Sequence, residues 1–430
     1  MNIQNVRGSY DYLPKEQIIR NYIIETLKEV FEKYGFNSIE TPILNYYDML
    51  CDKYEENNDI LKEIYKLTDQ GNRSLGLRYD LTVPFAKFIA LNKNKITFPF
   101  KRYEINKAFR DGPIKKGRDR EFTQCDCDVV GISGQFIEAE LLSLYVAAFN
   151  KLDIEIIIKY NSRKLMTGLI IESGINNELV SSVTTIIDKL DKLTDDEFNN
   201  MLKEIGLDDT KINCIKNFFN YNLEELNIKF KDTTNLFIKE GLIEINELNN
   251  YINKLNMKNV CKFDICLARG QNYYTGNIFE VYEKNNIINC SIGGGGRYDN
   301  IIGNYISDGN IYPTVGISFG LSAIYEILKE RDLFKNKSNI TIYIIPIETN
   351  VIALSLATKL RNMNLNVEID MTNRKLNKSI SFANKENIPY VIVLGSEEIE
   401  SNTFMLKDMF NSKEYLIDMN KIDEIKKYIK

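Results

Sequence analysis

Charged, amide and aromatic side chains alternate within and next to a basic stretch, FRDGPIKKGRDREFTQCD, that begins at Phe109. Two strand-like segments flank its centre, and in a strand the side chains two residues apart share a face. One face then combines two series of residues, which are Arg102, Glu104, Asn106, Ala108 and Arg110, and Arg120, Phe122, Gln124, Asp126 and Asp128. This mixture makes a poor core. It suits the floor of a site for a small ligand with an anionic group, a planar ring and a polar head.

The basic residues of this stretch could bind phosphate. Arg110 and Arg118 carry the planar guanidinium that grips phosphate through two parallel hydrogen bonds, and Phe122 could stack on a nucleotide base. The chain as a whole has a formal net charge of −5, so the basic loop is a local feature. The alternative interpretation is a solvated hairpin tip with ordinary charge pairs.

The chain of 430 residues contains no histidine and no tryptophan. A Ser-His-Asp triad, a Cys-His pair, an HExxH zinc site and an imidazole base are therefore excluded. The seven cysteines are an odd number without CxxC spacing, and we expect buried reduced thiols and no metal site built from histidine or cysteine. An enzyme made from this chain must work by positioning, electrostatics, carboxylates or a nucleophile carried by the substrate.

Two further segments have the residue types of a binding site. The run GGGGRYD, from Gly293, is neither a Walker loop nor a GxGxxG motif, and it predicts close approach of a ligand or another backbone. The segment ARGQNYYTG places Arg269 beside two adjacent tyrosines, Tyr273 and Tyr274. Because adjacent strand residues face opposite ways, at most one of these tyrosines is expected to line a pocket.

Periodicity and turn residues predict the elements that position these groups. Helices are expected at residues 15–34 and 135–150. The segment NSIETPIL is predicted to be a strand, and Pro42 within it suits a sheet edge or an interface. A further strand is expected as far as about Thr82, followed by a helix that opens with Val83 and Pro84. The two segments around the basic loop are predicted to form a hairpin.

The chain divides into two predicted domains. Residues 1–330 contain many strands without regular βαβ alternation, which predicts an α+β fold with an antiparallel sheet flanked by helices and a helical insertion at about 165–255. A linker at 331–338 precedes residues 339–430, where strands and helices alternate as in a small α/β domain. The start of the chain lacks a signal-peptide core and no run reaches membrane-span length, so we expect a cytoplasmic protein.

Eight segments together resemble the histidyl-tRNA synthetases, which are class II aminoacyl-tRNA synthetases. They are, in order, RGSYDYLP, ETPIL, LRYDLTVPFAKF, FRDGPIKKGRDREFTQCDCDVVG, NSRK, RGQNYYTG, GGGGRYD and VGISFGL. The resemblance covers nearly the whole chain, and the last domain is similar to the family's anticodon-binding domain. It implies a class II antiparallel sheet and a homodimer, with Pro42 at the dimer interface.

The resemblance also implies roles for individual residues. Arg110 would hold the α-phosphate of ATP, Arg118 would reach the outer phosphates, and Phe122 would stack on adenine. Arg269 would lie near the reacting carboxylate and, with Arg110, serve catalysis. The histidine-binding residues would be Asp80, Thr82 and Gln124 at the α-ammonium, Asp128 and Tyr274 at the imidazole ring, Tyr298 closing the pocket, and Tyr273.

The implied reaction consumes ATP with Mg²⁺ and forms histidyl-adenylate and diphosphate, before transfer to tRNA(His) releases AMP. The histidine carboxylate is itself the nucleophile, so the protein has to align two anions and neutralise charge, and needs no base. A carboxylate and a hydroxyl at the ring nitrogens would reject rivals, because each would be left unpaired by the wrong side chain.

Two positions depart from the family pattern. Motif 3 of the family reads Gly-Leu-Glu-Arg-Leu, and its arginine meets the outer phosphates of ATP. The same stretch is GLSAI here, with Ala323 in place of the arginine. Arg118, Lys115 or Lys116 could compensate. The family's RGLDYY is RGQNYY, which replaces an acid by Asn272.

The missing arginine motivates an alternative, a non-catalytic paralogue that senses histidine as the regulatory subunit of ATP phosphoribosyltransferase. A ligase that loads another acceptor is a third hypothesis. For tRNA itself, Lys115 and Lys116 would meet the acceptor end, and Arg374 and Lys375 would contact the anticodon region by neutralising phosphates. A solvated helix face is the alternative for the last two residues.

Overall fold

The computed structural model describes residues 3–51, 59–270, 273–331, 334, 338–372 and 374–429. The chain forms two compact units. The first comprises residues 1–11 and 20–328, and the second comprises residues 12–19 and 329–430. Most of the predicted linker at 331–338 lies outside the described residues, as do Asn272 and Asn373.

A mixed, mainly antiparallel sheet forms the centre of the first unit. The described strands of this unit are β1 (Asn37–Ser38), β2 (Leu44–Tyr46), β3 (Lys66–Thr68), β4 (Ser74–Leu77), β5 (Phe100–Phe109), β6 (Glu121–Val130), β7 (Ile156–Ser162), β8 (Cys261–Phe263), β9 (Asn277–Glu283), β10 (Gly293–Arg297) and β11 (Thr314–Gly320). The large sheet has the order β1-β5-β6-β11-β10-β9-β7-β8, and β2, β4 and β3 form a separate small sheet. Among the described strands of the large sheet, only the outermost pairs, β1 with β5 and β7 with β8, are parallel, so the predicted antiparallel α+β fold is confirmed.

Helices flank this sheet. In chain order they are α1 (Pro14–Lys33), α2 (Tyr47–Cys51), α3 (Asp59–Glu63), α4 (Thr82–Asn92), α5 (Phe136–Lys151), α6 (Arg163–Glu172), α7 (Val180–Ile187), α8 (Asp195–Glu204), α9 (Asp209–Phe218), α10 (Leu223–Lys229), α11 (Leu236–Lys254), α12 (Asn300–Ile306) and α13 (Leu321–Leu328). The helices predicted at 15–34 and 135–150 are therefore present as α1 and α5.

The two faces of the β5–β6 hairpin separate polar from apolar side chains. On one face, Tyr103 packs on Phe31 of α1 at 5.5 Å between ring centres, and Cys125 and Cys127 are fully buried. Phe319 of β11 joins this layer, with its ring centre 5.6 Å from that of Phe31. The opposite face therefore remains for the polar residues, as the period-two pattern predicts.

Two strand predictions are too long. The strand expected to reach Thr82 ends at Leu77, and α4 begins at Thr82 itself. NSIETPIL forms only the short edge strand β1 and the first residue of β2, with Pro42 outside both. Pro42 cannot donate to a ladder, and its position between the two strands agrees with that restriction.

The helical insertion predicted at about 165–255 corresponds to α6–α11. Asn, Asp, Ser and Thr side chains begin its helices by accepting backbone N–H bonds, which satisfies donors that a helix start leaves free. The caps are Ser162, Thr194, Asp208, Asn222 and Asn235. The polar residues that make this region look unlike the rest of the chain thus define where its helices start.

The second unit contains a five-stranded sheet of order β13-β12-β14-β15-β16. Its strands are β12 (Ile342–Pro346), β13 (Val367–Ile369), β14 (Tyr390–Leu394), β15 (Thr403–Asp408) and β16 (Lys413–Asp418), and its helices are α14 (Asn350–Asn362), α15 (Leu376–Lys385) and α16 (Ser396–Glu400). The four strands predicted from the pattern are present. The last strand, β16, is not among the predicted ones, because its burial pattern is mostly exposed and its sequence alternates weakly.

Among the described residues, no helix is long and apolar enough to cross a membrane.

Candidate active site

A cavity of about 730 Å³ lies within the first unit, on the polar face of the large sheet. The β5–β6 hairpin, β10 and β11 all contribute to its walls, as do Arg269, Gly270, Tyr273 and Tyr274. Eleven of the predicted ligand-binding residues line it: Asp80, Thr82, Arg110, Arg118, Phe122, Gln124, Asp128, Arg269, Tyr273, Tyr274 and Tyr298. The structure therefore brings these residues together from segments that are up to about 200 positions apart in the sequence.

Cross-strand pairing arranges the floor in rows. Asp128 is opposite Arg102 on β5 and Gly316 on β11. The next row pairs Asp126 with Glu104 and Ser318, and the row beyond pairs Gln124 with Asn106 and Gly320. Residues opposite each other in antiparallel strands point to the same face. The floor predicted from the hairpin alone thus continues across β11.

Asp128 lies at the deepest row and is held from two sides. Arg102 Nη2 is 2.7 Å from Asp128 Oδ2, and both side chains are almost fully buried. The Tyr298 hydroxyl donates a hydrogen bond to Asp128 Oδ1. Burial raises the pKa of Asp128, whereas Arg102 and the Tyr298 hydroxyl lower it. These contacts fix the direction of the carboxylate before any ligand arrives.

Asp80, Thr82 and Gln124 all line the cavity. Asp80 Oδ1 accepts the Val83 N–H at 3.0 Å and so supports the start of α4. Thr82 is the first residue of that helix, and the Gln124 amide donates to the Ser318 hydroxyl at 3.2 Å. Asp80 Oδ2 and Gln124 Oε1 have no hydrogen-bond partner among the described residues, so both oxygens can accept from a ligand.

The position of the Arg269 side chain depends on the glycine run that begins at Gly293. Its Nη1 donates to the Phe279 carbonyl at 3.2 Å and lies 3.9 Å from Glu280 Oε1. A β-carbon on Gly294 would overlap this guanidinium, so only glycine leaves room for it. Burial alone would lower the pKa of Arg269, but Tyr274 and Glu280 outweigh that effect and raise it. The predicted close approach of another backbone at GGGGRYD is present at Gly293, Gly295 and Gly296, and at Gly294 the approaching group is this arginine.

The expectation that only one tyrosine would line the cavity is wrong. Tyr273 and Tyr274 both line it, with 4.8 Å between their ring centres, and Tyr273 also meets the Tyr298 ring at 5.8 Å. Tyr273 and Tyr274 lie outside β9, and the alternation of a strand does not apply to them. Tyr274 is buried, which raises its pKa and keeps the hydroxyl protonated.

The outer part of the cavity holds the three predicted nucleotide residues. The Arg110 guanidinium lies 4.2 Å from the ring centre of Tyr79 and 4.8 Å from that of Phe122. One face of the Phe122 ring is therefore taken by Arg110, and the residue also lines the cavity. Arg118 lines the cavity from the turn at the loop tip, where it exchanges backbone hydrogen bonds with Lys115.

Lys115 and Lys116 do not line the cavity. Lys116 Nζ is 3.8 Å from Glu326 of α13 and is largely exposed. Between them and Arg118, Gly117 has φ +76° and packs against Ala323, whose β-carbon would lie 3.6 Å from a β-carbon on Gly117. The loop tip therefore lies against Ala323, at the place where the family pattern has an arginine.

Arg374 and Lys375 belong to the second unit and are not part of this cavity. Arg374 Nε donates to Thr372 at 2.5 Å and its guanidinium lies 4.7 Å from the ring centre of Phe382. Lys375 is exposed and precedes the first residue of α15. The Arg374 side chain is thus already in contact with Thr372 and Phe382 of its own unit, whereas the Lys375 side chain is exposed.

Several cavity residues are absent from the predicted site, among them Asp126 and a group from the helical insertion. Asp126 lies on the predicted polar face between Gln124 and Asp128, so the period-two pattern had already indicated it. The insertion group comprises Ser181, Ser182, Thr185, Ile186, Asp188 and Lys189 in and just after α7, and Met201, Glu204 and Ile205 in and just after α8. Nothing in the sequence of α7 or α8 signals that these helices face the sheet.

Comparison with known proteins agrees with this arrangement. A family model described as histidyl-tRNA synthetase matches residues 8–324, and one described as an anticodon binding domain matches residues 341–430. A histidine–tRNA ligase 1 of Bacillus cereus is 44% identical over 98% of this chain and 99% of its own length. The chain belongs to the histidyl-tRNA synthetase family.

Solved histidyl-tRNA synthetases share the fold. The crystal structure of histidyl-tRNA synthetase from Nostoc sp. PCC 7120 aligns with a TM-score of 0.84 at 27% identity, covering 100% of both chains. A Bacillus halodurans protein described as an ATP phosphoribosyltransferase regulatory subunit/histidyl-tRNA synthetase aligns with a TM-score of 0.76 at 20% identity, covering 91% of this chain and 98% of its own. At 20% identity, the second alignment shows only that the two proteins share a fold.

Proposed function

We propose that the chain is a histidine–tRNA ligase, which activates histidine with ATP and transfers it to tRNA(His). The observation that carries this proposal is the cavity, where a fixed carboxylate, three predicted tyrosines and three arginines meet. Family membership implies ATP as a substrate. We assign catalysis to residues 1–330 and anticodon binding to residues 339–430, and we place the enzyme in the cytoplasm, where tRNA is charged.

Each of the cavity residues has a proposed role in binding histidine or ATP. Asp128 and Tyr274 would pair with the two ring nitrogens of histidine, with Tyr298 and Tyr273 closing the ring site. Asp80, Thr82 and Gln124 would accept the α-ammonium. Arg269 would align the substrate carboxylate with the α-phosphate that Arg110 holds, while Arg118 meets the outer phosphates and Phe122 stacks on adenine.

Mg²⁺ would enter with ATP. The carboxylate of Glu280 in the cavity wall has the oxygen chemistry that this ion accepts, alongside phosphate oxygens. Among the described residues there is no cluster of three or more His, Cys, Asp or Glu side chains for a dedicated metal centre. When bound, the ion would neutralise phosphate charge, and the chain's own arginines would orient the reactants.

Histidine-dependent exchange of radiolabelled pyrophosphate into ATP tests the proposal. The purified protein with Mg²⁺ is expected to catalyse exchange with histidine and not with other amino acids. If histidine gave no more exchange than a reaction without amino acid, the proposed activation step would be refuted. A regulatory paralogue would bind histidine without exchange, so the same assay separates the two hypotheses.

Replacing Gly294 by alanine is expected to reduce activation without unfolding the protein. The new β-carbon would displace the Arg269 guanidinium, which is the mobile end of its side chain. Misplacing such a group lowers kcat/KM for histidine in the exchange assay by about 10²-fold. Gly71→Ala is the matched control, since the nearest atom to its β-carbon would be 3.4 Å away. Equal activity of the two variants would contradict the role of Gly294.

We propose that Lys375 contacts tRNA. Lys375→Glu is expected to raise KM for tRNA(His) in aminoacylation by about tenfold, because a phosphate contact is replaced by repulsion. Pyrophosphate exchange, which needs no tRNA, should stay unchanged. Lys359→Glu on α14 provides the control for a general charge effect. If both variants raised KM equally, Lys375 would have no specific role. Arg374, Lys115 and Lys116 are further proposed contacts.

We also propose a homodimer that uses the small sheet. Leu44 and Tyr46 of β2 and Leu67 of β3 are each more than 40% exposed, and Tyr46 and Leu67 both pair with Leu75 of β4 on one face. An apolar face of this kind suits contact with a second copy. Sedimentation equilibrium should give a dimer for the natural chain and a monomer for Tyr46→Asp. A dimer in both cases would place the interface elsewhere.

A further inference from the structure

Asp126 is a floor carboxylate that none of the roles above uses. It lies on β6 between Gln124 and Asp128, lines the cavity and is only 3% exposed. Its Oδ1 has no hydrogen-bond partner among the described residues. Leaving a buried charged acceptor unsatisfied costs free energy. Among the described residues, the floor therefore keeps an acceptor without a donor.

Asp126 accepts a hydrogen bond from the Ser318 hydroxyl, but its Oδ1 remains without a partner among the described residues. Asp128 has its ion pair with Arg102 and the Tyr298 hydrogen bond, and Asp80 supports the start of α4. Within the described part of the chain, no lysine or arginine nitrogen forms an ion pair with Asp126. A cation that enters this row of the floor can therefore pair with Asp126 through its unpartnered Oδ1.

The position of Asp126 in the sheet indicates which cation it would meet. Asp126 is opposite Ser318, and Ser318 is opposite Gly294, over which the Arg269 guanidinium lies. An amino acid whose carboxylate faces Arg269 has its α-ammonium within the same row, toward Asp126. The imidazole ring then extends to the next row, which contains Asp128.

We propose that Asp126 is a further substrate-binding residue, whose carboxylate is the main counter-ion of the histidine α-ammonium group. This inference rests on the proposed function and goes beyond it, because the family pattern assigns the ammonium to Asp80, Thr82 and Gln124. Those three residues supply oxygens around the group. Asp126, in its ionised form, would supply the negative charge.

The proposal links histidine binding to a proton. Burial raises the pKa of Asp126 to about 8, against the opposing effect of Arg102. The charged and titratable groups that face it are Arg78, Asp80, Arg102, Asp128, Tyr145, Tyr274 and Tyr298. A carboxyl group with that pKa is mostly protonated near pH 7, and an arriving ammonium favours its ionised form. The Asp126 proton is then released to the solvent as the ammonium–carboxylate contact forms.

Three ligands and two variants test this assignment by calorimetry. Histidine and histidinol carry the ammonium group, and 3-(imidazol-4-yl)propionate lacks it. Asp126→Asn keeps the shape and removes the charge, and Glu121→Gln removes a carboxylate from the same strand outside the cavity. Asp126→Asn should weaken histidine and histidinol by about 10- to 100-fold and leave the propionate unchanged. Glu121→Gln should change none of the three affinities.

Proton release provides a second measurement that needs no variant. Binding enthalpies in phosphate and Tris buffers near pH 7 should show release of up to one proton for the natural chain and none for Asp126→Asn. Equal weakening of all three ligands, or unchanged histidine affinity, would overturn the assignment. So would proton release that persists in the variant. A natural chain that binds histidine but gives no pyrophosphate exchange would refute the proposed function and leave this assignment standing.

Discussion

Replacing Arg269 by alanine is expected to lower histidine-dependent pyrophosphate exchange by about 10²- to 10³-fold, the usual effect of removing one preorganised group that stabilises developing charge. Arg269 lies in the cavity with its guanidinium set by the Phe279 carbonyl and by the room that Gly294 leaves. The carboxylate and the α-phosphate would otherwise repel each other. We therefore expect the loss in kcat as well as in kcat/KM for histidine.

Two variants accompany this measurement. Arg269→Lys keeps the charge but not the planar fork, so it should recover only part of the activity. Lys284→Ala removes an exposed cation that pairs with Glu155 at 2.8 Å, and it should leave exchange unchanged. Wild-type exchange by Arg269→Ala in a folded protein would contradict the role of this arginine.

Replacing Arg102 by methionine is expected to lower the free energy of unfolding by about 3–5 kcal/mol, because removing one partner of a buried ion pair leaves the other uncompensated. Arg102 is fully buried, 2.7 Å from Asp128 and 3.6 Å from Glu104. Its guanidinium also lies 4.3 Å from the ring centre of Phe85. Urea denaturation followed by circular dichroism would measure the change.

The double variant Arg102→Met/Asp128→Asn provides the matched comparison. It removes both charges of the pair, so it should be more stable than Arg102→Met alone although it has one more substitution. It should still fail to select histidine, since the ring-binding carboxylate is gone. If the double variant were the less stable of the two, the uncompensated charge on Asp128 would not explain the destabilisation.

The floor of the site could be predicted from the sequence because it depends on local geometry. Alternation along two strands joined by one loop is enough to place Arg102, Gln124 and Asp128 on one face. The structure pairs Arg102 with Asp128 and Gln124 with Asn106 in register, as a hairpin requires. The same pattern included Asp126, although the family resemblance gave that residue no role.

Other parts of the cavity depend on contacts that local patterns do not contain. Cavity residues of α7 and of the turn after it, between Ser181 and Lys189, reach the cavity through the packing of the whole insertion. Tyr273 and Tyr274 both face the cavity because their loop is free of strand alternation. Tertiary packing decides these positions, and a one-dimensional pattern carries no signal for it.

Ala323 occupies the position of the motif 3 arginine and lies next to the tip of the basic loop. The family pattern identifies the missing arginine, and the structure shows the Gly117 backbone packed where a longer side chain would project. Of the three candidate replacements, only Arg118 lines the cavity, and Lys116 faces Glu326 instead. We therefore propose Arg118 as the cation that takes over at the outer phosphates.

Aminoacylation of tRNA(His) tests the central claim most directly. The purified chain, with ATP, Mg²⁺ and labelled histidine, is expected to form acid-precipitable histidyl-tRNA(His), and omission of ATP should abolish the product. The same preparation should not charge a tRNA of another specificity. Exchange activity without any charging of tRNA(His) would point to a different acceptor. Absence of both reactions in a folded protein that binds histidine would contradict the ligase assignment.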